Sequence, residues 1–63
     1  MKRVIAKDRN GVPRCYGEAK TYCQAMIECK RAVFDYHKER PDVGDLFLFV
    51  GEKAKTPCVK FSA

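Results

Sequence analysis

Residues 21–40, TYCQAMIECKRAVFDYHKER, are long and periodic enough to decide the fold of this 63-residue chain. Side chains three, four and seven positions apart share one face of an α-helix. At that spacing one apolar stripe contains Tyr22, Met26, Cys29, Val33 and Tyr36. A second stripe beside it contains Cys23, Ile27, Lys30, Phe34 and His37. Together the stripes make an apolar arc wider than a coiled-coil seam, which predicts an amphipathic helix lying across a sheet.

The ends of this helix carry their own signals. Thr21 with Gln24 matches a capping box, in which the threonine oxygen accepts an unpaired backbone N–H. Pro41 cannot continue a helix and disfavours helical geometry at Arg40. The pattern therefore predicts a helix that begins after Thr21 and ends by Arg40.

The segments around the helix have the composition of strands and turns. Asn10 and Gly11 are the strongest turn signal, because both tolerate the positive φ of a two-residue hairpin turn. Pro13 lacks a backbone N–H, so its strand should lie at a sheet edge or bulge there. The predicted strands are residues 2–8 (KRVIAKD), 12–20 (VPRCYGEAK), 46–50 (LFLFV) and 58–62 (CVKFS).

These elements predict an α+β fold of the order β-β-α-β-β, in which two hairpins form one mainly antiparallel sheet and the helix crosses one face. The alternative, β-α-β-β, omits the first hairpin. Cys15, Gly17 and Ala19 alternate with larger residues, so they would give the sheet a face of small side chains beneath the helix.

Length and composition limit the function. We expect residues 1–63 to form one domain, and a chain of this size buries only about 60% of its unfolded surface. A content of 46% hydrophobic and 33% charged residues is too apolar for a disordered tail. The sequence contains no catalytic or cofactor-binding motif, so we expect no enzymatic activity and no cofactor. It contains no stretch with the length of a membrane span or a signal peptide, which predicts a cytoplasmic protein.

Cysteine and histidine are the candidates for reactive or metal-binding chemistry. Cys15, Cys23, Cys29 and Cys58 contain no C-x-x-C pair, which argues against a zinc site. In the cytoplasm they should be free thiols that act as small core residues. His37 has no nucleophile or acid at a defined spacing, so we interpret it as a residue flanking the helix end.

Positive charge is concentrated at the N-terminus. The formal net charge is +5, and residues 1–20 account for +4 of it. A concentrated basic element attracts phosphate or an acidic protein surface, and an aromatic ring can stack on a base. The alternative is a solvated edge strand protected by its charges. The candidate residues for binding nucleic acid or an acidic partner are Lys2, Arg3, Lys7, Arg9, Arg14 and Tyr16.

The strand at residues 46–50 is apolar on both faces. If Leu46, Leu48 and Val50 face the helix, Phe47 and Phe49 point away from it. One helix cannot cover both faces of a sheet, and exposed apolar patches usually mark interfaces. We therefore predict a protein-interaction surface of Phe47, Phe49 and Phe61. Alternatively, the strand is central and Phe61, long side chains and loops shield its outer face.

Three functional hypotheses follow. The first is a non-enzymatic regulator that binds a protein partner or forms a homodimer. In length, in cytoplasmic character and in having a single helix over a sheet, the chain resembles small bacteriophage-encoded proteins that bind and redirect host enzymes. That resemblance implies a host enzyme as the partner. The second hypothesis is a nucleic-acid-binding module that uses the basic hairpin, and the third is a thiol or zinc protein.

Overall fold

The computed structural model describes residues 1–51 and 53–62. Within them the strands form one sheet of order β2-β1-β3-β4, in which every neighbouring pair is antiparallel, and the helix packs on one face. The α+β prediction is confirmed, and the β-α-β-β alternative is wrong because the first hairpin is present. The elements are β1 (Lys2–Asp8), β2 (Pro13–Ala19), α1 (Tyr22–Glu39), a 3₁₀ turn (Pro41–Val43), β3 (Leu46–Val50) and β4 (Val59–Phe61).

The hairpin between β1 and β2 turns where Asn10 and Gly11 predict it, but with another geometry. The Gly11 N–H donates to the Asp8 carbonyl at 3.0 Å, and the Asp8 N–H donates to the Val12 carbonyl at 3.0 Å. Gly11 has a φ of 82°, whereas no non-glycine residue described has positive φ. The loop therefore has three residues, with a left-handed glycine last, and the two-residue prediction is wrong.

A bulge follows in β2. Ala6 pairs with Cys15 and Lys7 pairs with Pro13, so Arg14 is an extra residue between two pairs. Pro13 thus lies beside a bulge on an edge strand, as its missing N–H predicts. The bulge matters because it redirects Arg14 toward Asp8 and the helix.

Small residues let the helix approach the sheet closely. Ala25, Cys29 and Val33 are buried at successive four-residue steps, and they face a strand in which Cys15 and Gly17 are also buried. A Cβ added at Gly17 would collide with the Ala25 carbonyl oxygen and would lie 2.6 Å from the Cys29 backbone nitrogen. Gly17 is therefore the point of closest contact between the helix and β2.

The helix ends as predicted, at a Thr21 cap whose Oγ1 accepts the Gln24 N–H at 3.2 Å and at Arg40. Its second stripe, however, faces solvent rather than the sheet. Phe34 is 62% exposed and Ile27 is 39% exposed. The buried arc is instead centred on Cys29, because the small Ala25 fits against β2 where a larger side chain would hold the helix away. The prediction that both stripes contribute to the core is wrong for the second.

The core lies between α1 and the helix-facing side of the sheet. It consists of Val4, Ala6, Cys15, Ala25, Cys29, Val33, Leu46 and Leu48. The shortest dimension of the molecule is 15 Å, which accommodates one helix layer on one sheet. The described residues thus place no second layer on the other side of the sheet, which we call the outer face.

Candidate interaction surfaces

The outer face has an apolar centre built from three adjacent strands. Ile5 on β1 pairs with Tyr16 on β2 and with Phe49 on β3, which makes one continuous row across the sheet. Phe47 lies in the next row, opposite Lys7. Tyr16 is 49% exposed, both phenylalanines are half-buried, and Ile5 between the rings is only 8% exposed. The rings are therefore accessible at their outer sides, and they shield the isoleucine.

Basic side chains lie over these rings. The Arg3 guanidinium is 5.2 Å from the centre of the Tyr16 ring, and the Lys7 ammonium is 5.0 Å from the centre of the Phe49 ring. Each contact is worth about 0.5–1 kcal/mol at an exposed site. These cations cover only part of the aromatic surface, since Tyr16 is still 49% exposed beneath Arg3.

The rim of the outer face pairs positive with negative charge. Arg3 Nε lies 3.7 Å from Glu18 Oε2, and Lys60 Nζ lies 3.5 Å from Asp45 Oδ2. Lys60 reaches this rim because it pairs with Phe47 across the β3–β4 ladder. Among residues 1–51 and 53–62, the rim contains the bases Arg3, Lys7 and Lys60 and the two acids that pair with them, so this described part of the outer face is only weakly basic.

Phe61 does not belong to this surface. It pairs with Leu46, which is fully buried, and it packs against the core on the helix side. The structure therefore separates Phe61 from Phe47 and Phe49, and it corrects the expectation that Phe61 completes or shields their patch. The outer-face residue that the sequence interpretation missed is Ile5, which the alternation of Arg3, Ile5 and Lys7 along β1 could have identified.

The six residues predicted to bind nucleic acid or an acidic partner are divided among three places. Arg3, Lys7 and Tyr16 lie on the outer face. The Lys2 ammonium instead lies 5.2 Å from the centre of the Tyr22 ring, at the start of the helix. Arg9 and Arg14 lie at the opposite end of the hairpin, beside the helix C-terminus. The basic hairpin is therefore not a single basic patch.

At that end Asp8 holds Arg14. Asp8 is buried, its Oδ1 accepts the N–H groups of Asn10 and Val12 at 2.9 Å each, and its Oδ2 accepts Arg14 Nε–H at 3.1 Å. The hydrogen bond from Val12, then those from Arg14 and Asn10, lower the pKa of Asp8 despite its burial. The hydrogen bond to Asp8 in turn raises the pKa of Arg14. Arg14 is thereby fixed in orientation.

The cysteine thiols and His37 lie in surroundings typical of structural residues rather than of reactive or metal-binding ones. All four cysteines are free; Cys15 and Cys29 are buried, and Cys23 and Cys58 are exposed. Burial, with a smaller contribution from Cys15, raises the pKa of Cys29 to about 11, so this thiol is a poor nucleophile at neutral pH. His37 Nε2–H donates to the Gly44 carbonyl at 2.9 Å and ties the helix to the loop after it. Across residues 1–51 and 53–62, no three His, Cys, Asp or Glu side chains cluster as metal ligands would.

In the part of the chain that the structure describes, no helix combines the length and apolarity needed to cross a membrane. Comparisons with protein-family models, with curated proteins and with solved structures found no match for this chain.

Proposed function

We propose that this chain is a non-enzymatic binding protein that holds a protein partner on the outer face of its sheet. The observation that carries the proposal is the row of Tyr16, Ile5 and Phe49, with Phe47 beside it, on a face with no covering layer among the described residues. Aromatic side chains supply much of the binding energy of protein interfaces, and contiguous apolar surface usually marks them.

The charge of the outer face favours a protein over nucleic acid. Protein interfaces have an apolar centre and a polar rim, which is the arrangement of the rings and of the pairs Arg3–Glu18 and Lys60–Asp45. Phosphate binding depends on several available cations, whereas two carboxylates offset much of the positive charge here. Among the described residues Lys7 has no acidic partner, so a protein with an apolar surface and an acidic group facing Lys7 fits best.

In this proposal the chain acts as a regulator in the cytoplasm. A domain of 63 residues that occupies an apolar surface can block or redirect the protein that carries it, and an enzyme is the partner class we propose. Four free thiols fit a reducing compartment. The same face could also join two copies of the chain, because a two-fold interface needs only one self-complementary patch.

The test is a double substitution on the outer face with a matched control. Phe47→Ser with Phe49→Ser should abolish capture of the partner from a cell lysate and any concentration-dependent sedimentation, while leaving the thermal unfolding transition cooperative. Phe34→Ser removes a more exposed phenylalanine from the helix, so it should change neither property. Sedimentation velocity of the purified chain distinguishes a second copy of the chain from another protein as the partner. Self-association would be detected in the absence of lysate.

Two outcomes would contradict the proposal. One is a parent chain that is monomeric and captures nothing specific. The other is a loss of capture that is equal in Phe34→Ser and in the outer-face double variant. That result would assign capture to nonspecific hydrophobic association.

Single-stranded nucleic acid is a second candidate, favoured by the placement of Arg3 over Tyr16 and of Lys7 over Phe49. Bases stack on aromatic rings for about 1–3 kcal/mol each, and arginine contributes to such platforms. If this candidate holds, a fluorescent oligonucleotide should bind with an affinity that falls steeply with salt, and Tyr16→Ala should weaken it about tenfold or more. A salt-independent signal, or one that Tyr16→Ala leaves unchanged, would exclude it.

A further inference from the structure

A cleft of about 250 Å³ lies at the turn end of the first hairpin, away from the outer face. Its walls come from the β1–β2 loop on one side and from the C-terminal end of α1 with the following 3₁₀ turn on the other. The residues whose side chains matter for its chemistry are Arg9, Asn10, Arg14, Tyr36, Arg40 and Asp42. Three arginines thus line one small cavity.

Arg14 is the lining residue whose side chain is held in place by its neighbours. The bulge in β2 directs it inward, Asp8 accepts its Nε–H at 3.1 Å, and its Nη1 donates to the Tyr36 hydroxyl at 3.4 Å. Arginine has five N–H donors, so those on Nη2 and the second one on Nη1 remain available. Because the Tyr36 oxygen accepts from Arg14, its own proton is also available to an acceptor in the cleft.

The side chains of the other two arginines make no hydrogen bond or ion pair with the described residues. Arg9 lies in the loop and Arg40 caps the helix C-terminus, and both line the cleft. Asp8 forms no ion pair with either of them, and its oxygens accept hydrogen bonds from two backbone N–H groups and from Arg14. Asp42 is the one remaining carboxylate among the lining residues. Donors therefore exceed acceptors, and the three arginines outnumber the two aspartates.

We propose that this cleft binds the terminal phosphate of a small molecule. Guanidinium groups donate paired hydrogen bonds to phosphate oxygens, and several of them match the two negative charges of a terminal phosphate better than the single charge of a carboxylate. Asp42 opposes the anion and tunes its affinity downward. The site shares no residue with the outer face, so it does not depend on the proposed function.

The proposal is tested by calorimetric titration of the full chain with pyrophosphate, inorganic phosphate and acetate at low salt. Pyrophosphate should bind most tightly and acetate least. Arg9→Gln and Arg40→Gln should each weaken pyrophosphate binding about tenfold, equivalent to about 1.4 kcal/mol. Asp42→Asn should strengthen binding several-fold, a change of opposite sign that a general loss of structure cannot produce.

The matched control is the double variant Lys20→Gln with Arg31→Gln, which removes the same charge as Arg9→Gln with Arg40→Gln. Lys20 follows the far end of β2, and Arg31 lies on the helix 3.6 Å from Glu28, so this control should bind pyrophosphate as the parent does. Equal weakening in both double variants, or no binding of pyrophosphate or phosphate at millimolar concentration, would overturn the proposal. So would tighter, Arg9-dependent binding of an oligonucleotide that lacks a terminal phosphate, because the ligand would then be a nucleic-acid backbone.

Discussion

Replacing Gly17 with alanine should destabilise the fold more than any other single methyl addition at a described glycine. The new Cβ would meet the Ala25 carbonyl oxygen and lie 2.6 Å from the Cys29 nitrogen and 2.8 Å from the Cys29 Cβ. Two of these three atoms are helix backbone, so no side-chain rotation relieves the collision. The whole of α1 must move away from β2, which exposes Ala25 and Cys29 to water.

Overpacking of a tight core typically costs about 1–3 kcal/mol and occasionally more, and we expect about 3 kcal/mol or more here. For a chain of this size the total free energy of unfolding is about 3–9 kcal/mol, so a large share would be lost. At about 4–8 °C per kcal/mol, the Tm should fall by about 12–24 °C or more in a thermal melt followed by circular dichroism.

Gly11→Ala is the matched control for this substitution. Gly11 has a φ of 82° but no atom within 4 Å of an added Cβ, so alanine there meets only the backbone cost of the left-handed region, about 1–2 kcal/mol. The Gly17 variant should therefore melt well below the Gly11 variant. If the two melt together, or if Gly17→Ala melts like the parent, the close contact between helix and β2 is not the constraint that we infer.

Two further predictions concern stability. Val33→Ala should cost about 2 kcal/mol because the valine is buried, whereas Phe34→Ala should cost about 0.5 kcal/mol or less because its ring is mostly exposed; urea unfolding of both variants measures the difference. The pKa of Asp8 is lower in the folded chain than its ordinary value of 3.8, so the stability that its ionised form contributes is present above that pH and is lost as pH falls through the folded pKa. The difference in stability between the parent and Asp8→Asn should accordingly be constant from neutral pH to about pH 4 and shrink below it, and a difference that persists unchanged at pH 2 would show that Asp8 does not act through its charge.

Local signals in the sequence predicted the elements well. The bounds of β1 and β3 agree with the predicted strands, and Thr21 caps the helix. These features depend on short-range chemistry: a hydroxyl that accepts a nearby N–H, or a run of branched residues between glycines. The alternation of Cys15 and Gly17 also predicted the side of β2 that lies under the helix.

The sequence predictions were wrong where the position of a side chain depends on which secondary-structure elements pack together. Hydrophobicity alone groups Phe34 with the core, yet the helix rotates to place the smaller Ala25 against Gly17, because only small residues permit that approach. Phe61 was assigned to the wrong side because the irregular connection before β4 does not determine the parity of that strand. The cleft was missed for a similar reason: Arg14 reaches it only through a bulge, and Arg40 is 26 positions away in sequence.

The two faces of β1 differ in how much they contribute to folding. Val4 and Ala6 are completely buried under the helix, whereas Arg3 and Lys7 on the outer face lie over exposed and half-buried rings. Burial of apolar surface on the helix side supplies most of the stability, at about 25 cal/mol for each Å² removed from water. The outer face contributes less to folding because its rings remain partly in water. A partner that covers these rings would bury apolar surface that is exposed to water in the free chain. A small domain with one helix can thus keep an exposed apolar surface without depending on it to fold. This is the physical reason for expecting the Phe47 and Phe49 substitutions to weaken binding more than stability.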